Sequence, residues 1–368
     1  MSNDQKSISF ALEHLRRHKA YVPGEQPSKG KGFIKLNTNE NPYPASPKIE
    51  NAVRSEIAAL RLYPNPSSQE LREQIATLHG IDCAQVIIGN GSDELLTLCV
   101  RCFADARRPV GITTPSYSLY QNLASLQDAP VIEVPFDANF SLDPERIGNC
   151  GANLFFLTTP NAPSGVGFSN DSLSQAFALF PGIFVADEAY ADFAHQNAIP
   201  LLDQYPRLII CRTLSKSYGL AGLRVGYALA SPETISLLDK AREVYNVDRL
   251  AQAAAIAALR DQEYFHTTLS KIISARETFG HWLRSKDWDT YESQGNFLFT
   301  EPRTSSGRTG PLIAKDAFFF LTEQKILTRL FEKHSLTSSR LRISIGTQTE
   351  MNAVAKAIEE WMRNEQVK

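Results

Sequence analysis

Apolar residues along this chain fall in short unbroken blocks rather than in strict alternation. Val86-Ile87-Ile88, Val110 to Thr113, Val131 to Val134, Asn153 to Thr158, Ile183-Phe184-Val185-Ala186, Leu208 to Cys211 and Val225 to Ala230 each read as a strand. Continuous blocks rich in Val, Ile and Phe and bounded by Gly, Pro or polar turns mark strands buried on both faces. Between several of them the pattern becomes helical, as over Pro47 to Leu60, Ser68 to His79 and Asp93 to Phe103. Helices from Pro232 to about Lys286 form a bridge, which includes the alanine-rich run Ala251 to Leu259. Beyond it, Gly295 to Phe299, Ile326 to Phe331 and Arg340 to Thr347 predict a further set of short strands. Alternation around Arg342 turns it one way and Leu341 the other.

Strands recurring with helices between them predict an α/β fold with a mainly parallel sheet and a site at the strand ends. The expected organisation is an N-terminal arm over 1–35, a large domain over 36–260 and a smaller α+β domain over 261–368. The arm holds a short amphipathic segment, Ile8 to Arg17, and then Pro and Gly around Tyr21, which favour extended chain. Residues 301–311 read as a flexible loop. No internal repeat or low-complexity tract interrupts the order.

Composition narrows the function. With 38 Lys and Arg against 40 Asp and Glu, the net charge is 38 − 40 = −2. That gives no broad electrostatic attraction to nucleic acid or anionic membrane, although local arginines could hold small anions. No apolar run is long enough for a membrane span, and the polar start does not read as a secretory signal, so a cytoplasmic enzyme is expected. Among five cysteines, Cys99 and Cys102 alone have redox or metal spacing. They fall inside a helical run with no second Cys/His pair, which favours core packing.

The candidate chemistry sits where strands end. Leu208 to Cys211 runs into Arg212-Thr213-Leu214-Ser215-Lys216-Ser217, and Arg224 follows. A lysine just past a buried strand end is placed to act as a nucleophile toward a carbonyl, although taken alone it reads more readily as a solvated loop lysine. Ser215 and Arg224 could hold an anion beside it. Gly89-Asn90-Gly91-Ser92-Asp93-Glu94 is a glycine turn opening a helix, which suits a phosphate. Glu94 stands where a dinucleotide fingerprint needs its third glycine, which counts against a nicotinamide site. Tyr117, directly after a strand, could stack on a planar ring or pack on the core. The strand ending at Asp187-Glu188 needs a cation for its buried carboxylate. A metal is disfavoured because no His cluster accompanies the pair.

Several of these strings share one resemblance. Ser215-Lys216, with Leu220-Ala221-Gly222-Leu223-Arg224 and Gly226-Tyr227 following, resembles the cofactor-lysine segment of fold-type I pyridoxal-phosphate aminotransferases. Leu36-Asn37-Thr38-Asn39-Glu40-Asn41-Pro42-Tyr43-Pro44 is similar to the opening of that family's histidinol-phosphate branch. Pro160-Asn161-Ala162-Pro163-Ser164-Gly165 resembles its Asn-Pro-x-x-Pro-Thr-Gly loop, with Thr159 and Ser164 in place of the usual Asn and Thr. The resemblance runs from about Tyr21 to Gly346.

What the resemblance implies is specific. Lys216 would carry pyridoxal 5′-phosphate covalently and then move a proton on the substrate. Asp187 would pair with the pyridine nitrogen, and Asn161 and Tyr190 with the ring O3′. Gly91, Ser92, Asp93, Ser215 and Arg224 would hold the phosphate, and Tyr117 the ring face. Tyr63, in Tyr-Pro-x-Pro, would reach the neighbouring chain's cofactor, making a homodimer with shared sites. Tyr21, Asn39, Arg329 and Arg342 would bind substrate. The implied reaction exchanges amino groups between histidinol phosphate and 2-oxoglutarate. A threonine-phosphate decarboxylase, an aromatic or broad-specificity aminotransferase, and an inactive cofactor-binding regulator are the alternatives.

Overall fold

The computed structural model describes residues 10–22, 24–27 and 32–364. Ile8 and Ser9, which begin the predicted amphipathic segment, lie outside these residues, as does Pro23. The segment's described part forms a short helix, Glu13–Arg17.

Each of the seven apolar blocks is a strand of one sheet. In chain order the structure's strands begin with β1 (Ile34–Lys35), outside this sheet, and continue with β2 (Val86–Asn90), β3 (Val110–Thr114), β4 (Val131–Pro135), β5 (Leu154–Thr158), β6 (Ile183–Asp187), β7 (Leu208–Thr213) and β8 (Val225–Leu229). The sheet order is β2-β8-β7-β6-β5-β3-β4. β4, β3, β5, β6 and β7 run parallel, and β8 runs antiparallel to both its neighbours, β7 and β2.

The unbroken apolar pattern has a direct cause in packing. Along β5, Phe155 and Leu157 enter one core cluster while Leu154 and Phe156 enter the other. Successive side chains point to opposite faces, and helices cover both faces, so every position must be apolar. Cys99 belongs to the second cluster and Cys102 packs against it, as the core-packing reading expects.

The remaining strands are β9 (Asp289–Thr290), β10 (Phe297–Glu301), β11 (Ile326–Leu327), β12 (Arg329–Leu330) and β13 (Leu341–Ser344). Four of them form a sheet in the order β12-β13-β10-β9, with antiparallel pairs throughout. β11 pairs instead with β1, so the end of the N-terminal arm is stitched to the C-terminal part of the chain. The long helix Gln262–Ser285 leads from the large sheet to this region. Its Phe279 and Leu283 share a third core cluster with Trp288 and Trp361. The loop after β10 rests on the last helix, where Ser305 donates to the Met362 carbonyl.

Candidate active site

The parallel strands deliver their C-terminal ends to one edge of the sheet, and that edge is where the candidate residues meet. A cavity of about 320 Å³ there is lined by Ser92, Asp93, Tyr117, Asp187, Tyr190, Ser215, Lys216 and Arg224 from the large sheet. Arg329 and Arg342 line it from the smaller sheet, and Tyr21 and Asn39 from the N-terminal segment. Tyr63 is absent from this cavity. It is 77% exposed and stacks on Tyr245 at 4.5 Å.

The two carboxylates at the end of β6, Asp187 and Glu188, have different partners. Asp187 is buried, and its Oδ2 accepts from the Tyr120 hydroxyl at 2.6 Å. Burial pushes its carboxyl up to about 6, against the lowering effect of the Tyr120 hydrogen bond. The same burial, with the charge of Asp187, holds the Tyr120 hydroxyl far above its usual range, so Tyr120 stays a donor. Glu188 turns instead to Arg212, which donates to its Oε2 from Nε at 2.9 Å and from Nη2 at 2.7 Å. Both of those side chains are buried, so Glu188 is a structural ion-pair partner.

Lys216 reaches across to the N-terminal segment. Its Nζ donates to the Thr38 carbonyl at 3.1 Å and lies 5.9 Å from the centre of the Tyr190 ring. Asn39 is buried with its amide engaged: Nδ2 donates to the Tyr190 hydroxyl, and Oδ1 accepts from Ser344, both at 2.9 Å. Asn39 thus lines the cavity while its hydrogen-bonding atoms face protein.

At the helix start, Arg224 donates to Asp93 at 2.9 Å and to the Ser215 hydroxyl at 3.4 Å. Gly91 has φ +79°, and a Cβ there would lie 2.4 Å from Arg224 Nη2. A Cβ on Gly226 would lie 2.5 Å from the Ser92 nitrogen. Both glycines let backbone close on the cradle that a side chain would fill. The Tyr117 ring stands edge-on to both Tyr21 and Tyr120.

On the opposite wall Arg342 donates to the Asn37 carbonyl at 3.1 Å, while its buried Nε has no partner among the described residues. Burial, reinforced by the charge of Arg329, lowers its pKa from the ordinary guanidinium value. Neither Arg329 nor Arg342 forms an ion pair with a carboxylate among the described residues. The centre of the Phe331 ring lies 5.8 Å from the Arg329 guanidinium and 5.3 Å from that of Arg342.

Tyr120, Phe331 and the carbonyls of Asn37 and Thr38 escaped the sequence reading. Tyr120 follows Tyr117 by three residues, across the turn that opens the helix Leu119–Leu126, where its backbone N–H donates to the Tyr117 carbonyl at 3.2 Å. That spacing was the available signal. Backbone carbonyls leave no mark in residue type.

A lysine, an anion cradle and a buried aspartate gathered at the strand ends are the parts that a phosphorylated carbonyl cofactor needs, and sequence comparison names the class. Residues 31–358 match the family described as aminotransferase class I and II, and the chain belongs to it. It is 44% identical to a histidinol-phosphate aminotransferase of Syntrophotalea carbinolica, over 92% of this chain and 95% of that one. A histidinol-phosphate aminotransferase of Geobacter sulfurreducens is also 44% identical, over 92% and 96%. Among solved structures, that of the Sinorhizobium meliloti histidinol-phosphate aminotransferase in complex with pyridoxal-5′-phosphate superposes with a TM-score of 0.87. It is 26% identical, and the match covers 97% of this chain and 98% of that one.

The residues present fit pyridoxal phosphate. Asn161 is buried with Oδ1 taken by Ser164, whereas its Nδ2 has no partner among the described residues and is available to a ring oxygen. Asp187 offers a carboxylate suited to a protonated pyridine nitrogen. The Gly91 turn, Ser215 and Arg224 offer N–H, hydroxyl and guanidinium groups suited to one phosphate.

Proposed function

We propose that this chain is a pyridoxal-phosphate-dependent aminotransferase that interconverts L-histidinol phosphate plus 2-oxoglutarate and imidazole-acetol phosphate plus L-glutamate, a step of histidine biosynthesis. The observation that carries the reading is the pair Arg329 and Arg342, without carboxylate partners among the described residues, on the cavity wall across from Lys216. The 44% identity to two histidinol-phosphate aminotransferases supports it.

Bound pyridoxal phosphate supplies the electron sink. Ser92, Ser215 and Arg224 hold its phosphate, Tyr117 its ring face, and Asn161 and Tyr190 its ring oxygen. Asp187 keeps a proton on the ring nitrogen by pairing with it. Lys216 would anchor the cofactor and, as a free amine, would move the proton of the substrate's amine-bearing carbon. Arg329 and Arg342 orient the substrate's anion, which is a phosphate in one half-reaction and a carboxylate in the other. A planar, permanently charged guanidinium accepts either. Tyr21 closes over the substrate.

The working form in this proposal is a cytoplasmic homodimer. Its exposed Tyr63 serves the neighbouring chain's site, and each chain divides into an arm, a large domain over 36–260 and a small domain over 261–368.

The test is an assay of purified protein with histidinol phosphate and 2-oxoglutarate. Formation of glutamate supports the proposal. Release of carbon dioxide from threonine phosphate without amino transfer overturns it in favour of the decarboxylase.

A further inference from the structure

We propose that Asn39 and Ser344 act as positioning residues that set the direction of the Tyr190 hydroxyl proton. The inference rests on the reading that this site holds pyridoxal phosphate. It follows from counting protons in a closed, buried group of atoms.

Asn39, Ser344 and Tyr190 are all buried, at 1%, 1% and 8% exposure. The Asn39 backbone N–H donates to the Ser344 oxygen at 2.9 Å. The Ser344 hydroxyl donates its single proton to Asn39 Oδ1, also at 2.9 Å. With Oδ1 so placed, Nδ2 is turned to the Tyr190 oxygen, again at 2.9 Å. A flipped amide would send Nδ2 to Ser344 and leave the serine proton with no acceptor among the described residues. An unmade hydrogen bond at a buried group is costly, so the network selects one orientation.

The consequence falls on Tyr190. Its oxygen accepts a hydrogen bond from Asn39, so its own proton is not spent on that neighbour and remains to be donated into the cavity that it lines. Receiving one hydrogen bond also strengthens the hydroxyl as a donor to the next group. Asn39 occupies φ +57°, a conformation that asparagine tolerates better than most residues. Ser344 lies two residues beyond Arg342 on β13, so the two side chains share one face of the strand. The strand that carries the anion-binding arginine therefore also carries the serine that fixes the amide. Lys216, Tyr117, Asp187, Tyr21, Arg329 and Arg342 are titratable or charged groups that line the same cavity as Tyr190.

A donated proton stabilises negative charge on the cofactor's ring oxygen, which can be read in the pH titration of the holoenzyme's visible absorbance. Asn39→Gly removes the amide while keeping the backbone unstrained at φ +57°. Its titration midpoint should rise by about one pH unit, the size of one hydrogen bond. Ser344→Ala, which leaves the backbone alone, should shift it in the same direction by less, because the amide is then free to flip. Tyr190→Phe should shift it upward too, and Asn39→Gly added to Tyr190→Phe should move it no further. Unshifted midpoints in Asn39→Gly and Ser344→Ala, or additive shifts in the double variant, overturn the proposal. A parent band that does not move with pH also overturns the proposal, whereas a parent protein that takes up cofactor with no visible band would instead overturn the cofactor reading on which it rests.

Discussion

Arg329 and Arg342 are directly opposed Cα partners across the antiparallel strands β12 and β13. Like charges in that position repel, and a fold gains nothing from setting them there. The arrangement makes sense when an anion bridges the two guanidinium groups. The centre of the Phe331 ring stands close to both guanidinium groups, at 5.8 Å and 5.3 Å.

Removing Arg329 should therefore act on the substrate's phosphate. A charge-assisted contact is worth about 1.5–3 kcal/mol, so Arg329→Ala should raise KM for histidinol phosphate by about ten- to a hundredfold. Unphosphorylated histidinol, a poor substrate, should change little. Steady-state kinetics with the two amines decide the matter, and equal losses with both would remove Arg329 from the phosphate site.

Arg342 is expected to serve both half-reactions, since glutamate brings a carboxylate where histidinol phosphate brings a phosphate. Arg342→Ala should weaken each by about ten- to a hundredfold in kcat/KM, measured in separate single-turnover half-reactions. A loss confined to the phosphorylated amine would assign the carboxylate to another group.

Much of this architecture can be read in the chain itself, and the physical reason is local. Blocks such as Leu154 to Leu157 must be apolar throughout because both faces of a parallel sheet are covered, so the strands announce themselves. Strand order is not local, and nothing in the blocks says that β8 lies between β7 and β2. Site residues at strand ends, such as Asp187 and Lys216, follow from strand position and motif together. The partners that orient them do not. Asn39 reads as a substrate contact, yet its amide meets Ser344, 305 residues away. Glu188 beside Asp187 reads as half of a carboxylate pair until Arg212 appears beneath it.

The two neighbouring carboxylates should respond oppositely to removal. Asp187 has a folded-state pKa of about 6, above the unfolded value of about 3.9. The folded chain then binds more protons than the unfolded one between those values, and stability falls as pH rises from about 4 to about 6. In the cofactor-free protein Asp187→Asn should be more stable than the parent at pH 7.5, by roughly 1–3 kcal/mol, and the gap should close near pH 4. Its holoenzyme should lose about a hundredfold to a thousandfold in turnover, because a neutral amide cannot keep the ring nitrogen protonated. Glu188→Ala should instead destabilise by about 3–5 kcal/mol by leaving buried Arg212 without its main partner. Urea unfolding at the two pH values checks both, and a pH-independent gap for Asp187→Asn would contradict the assignment.

Shared sites make a separate expectation. Lys216→Ala and Tyr63→Ala chains, each impaired alone, should regain activity when mixed and allowed to exchange, because a mixed dimer contains one complete site. Activity assays after exchange, with mass spectrometry to count mixed dimers, give the answer. Mixed dimers that stay as impaired as their parents would place Tyr63 outside the site.

The most direct measurement asks which residue carries the cofactor. Borohydride reduction of the holoenzyme, followed by proteolysis and mass spectrometry, should place the reduced pyridoxyl phosphate on the peptide containing Lys216 and nowhere else. Lys216→Ala should take up the cofactor only reversibly and yield no labelled peptide. Label on any other lysine, or a labelled peptide from Lys216→Ala, would contradict the account at its centre.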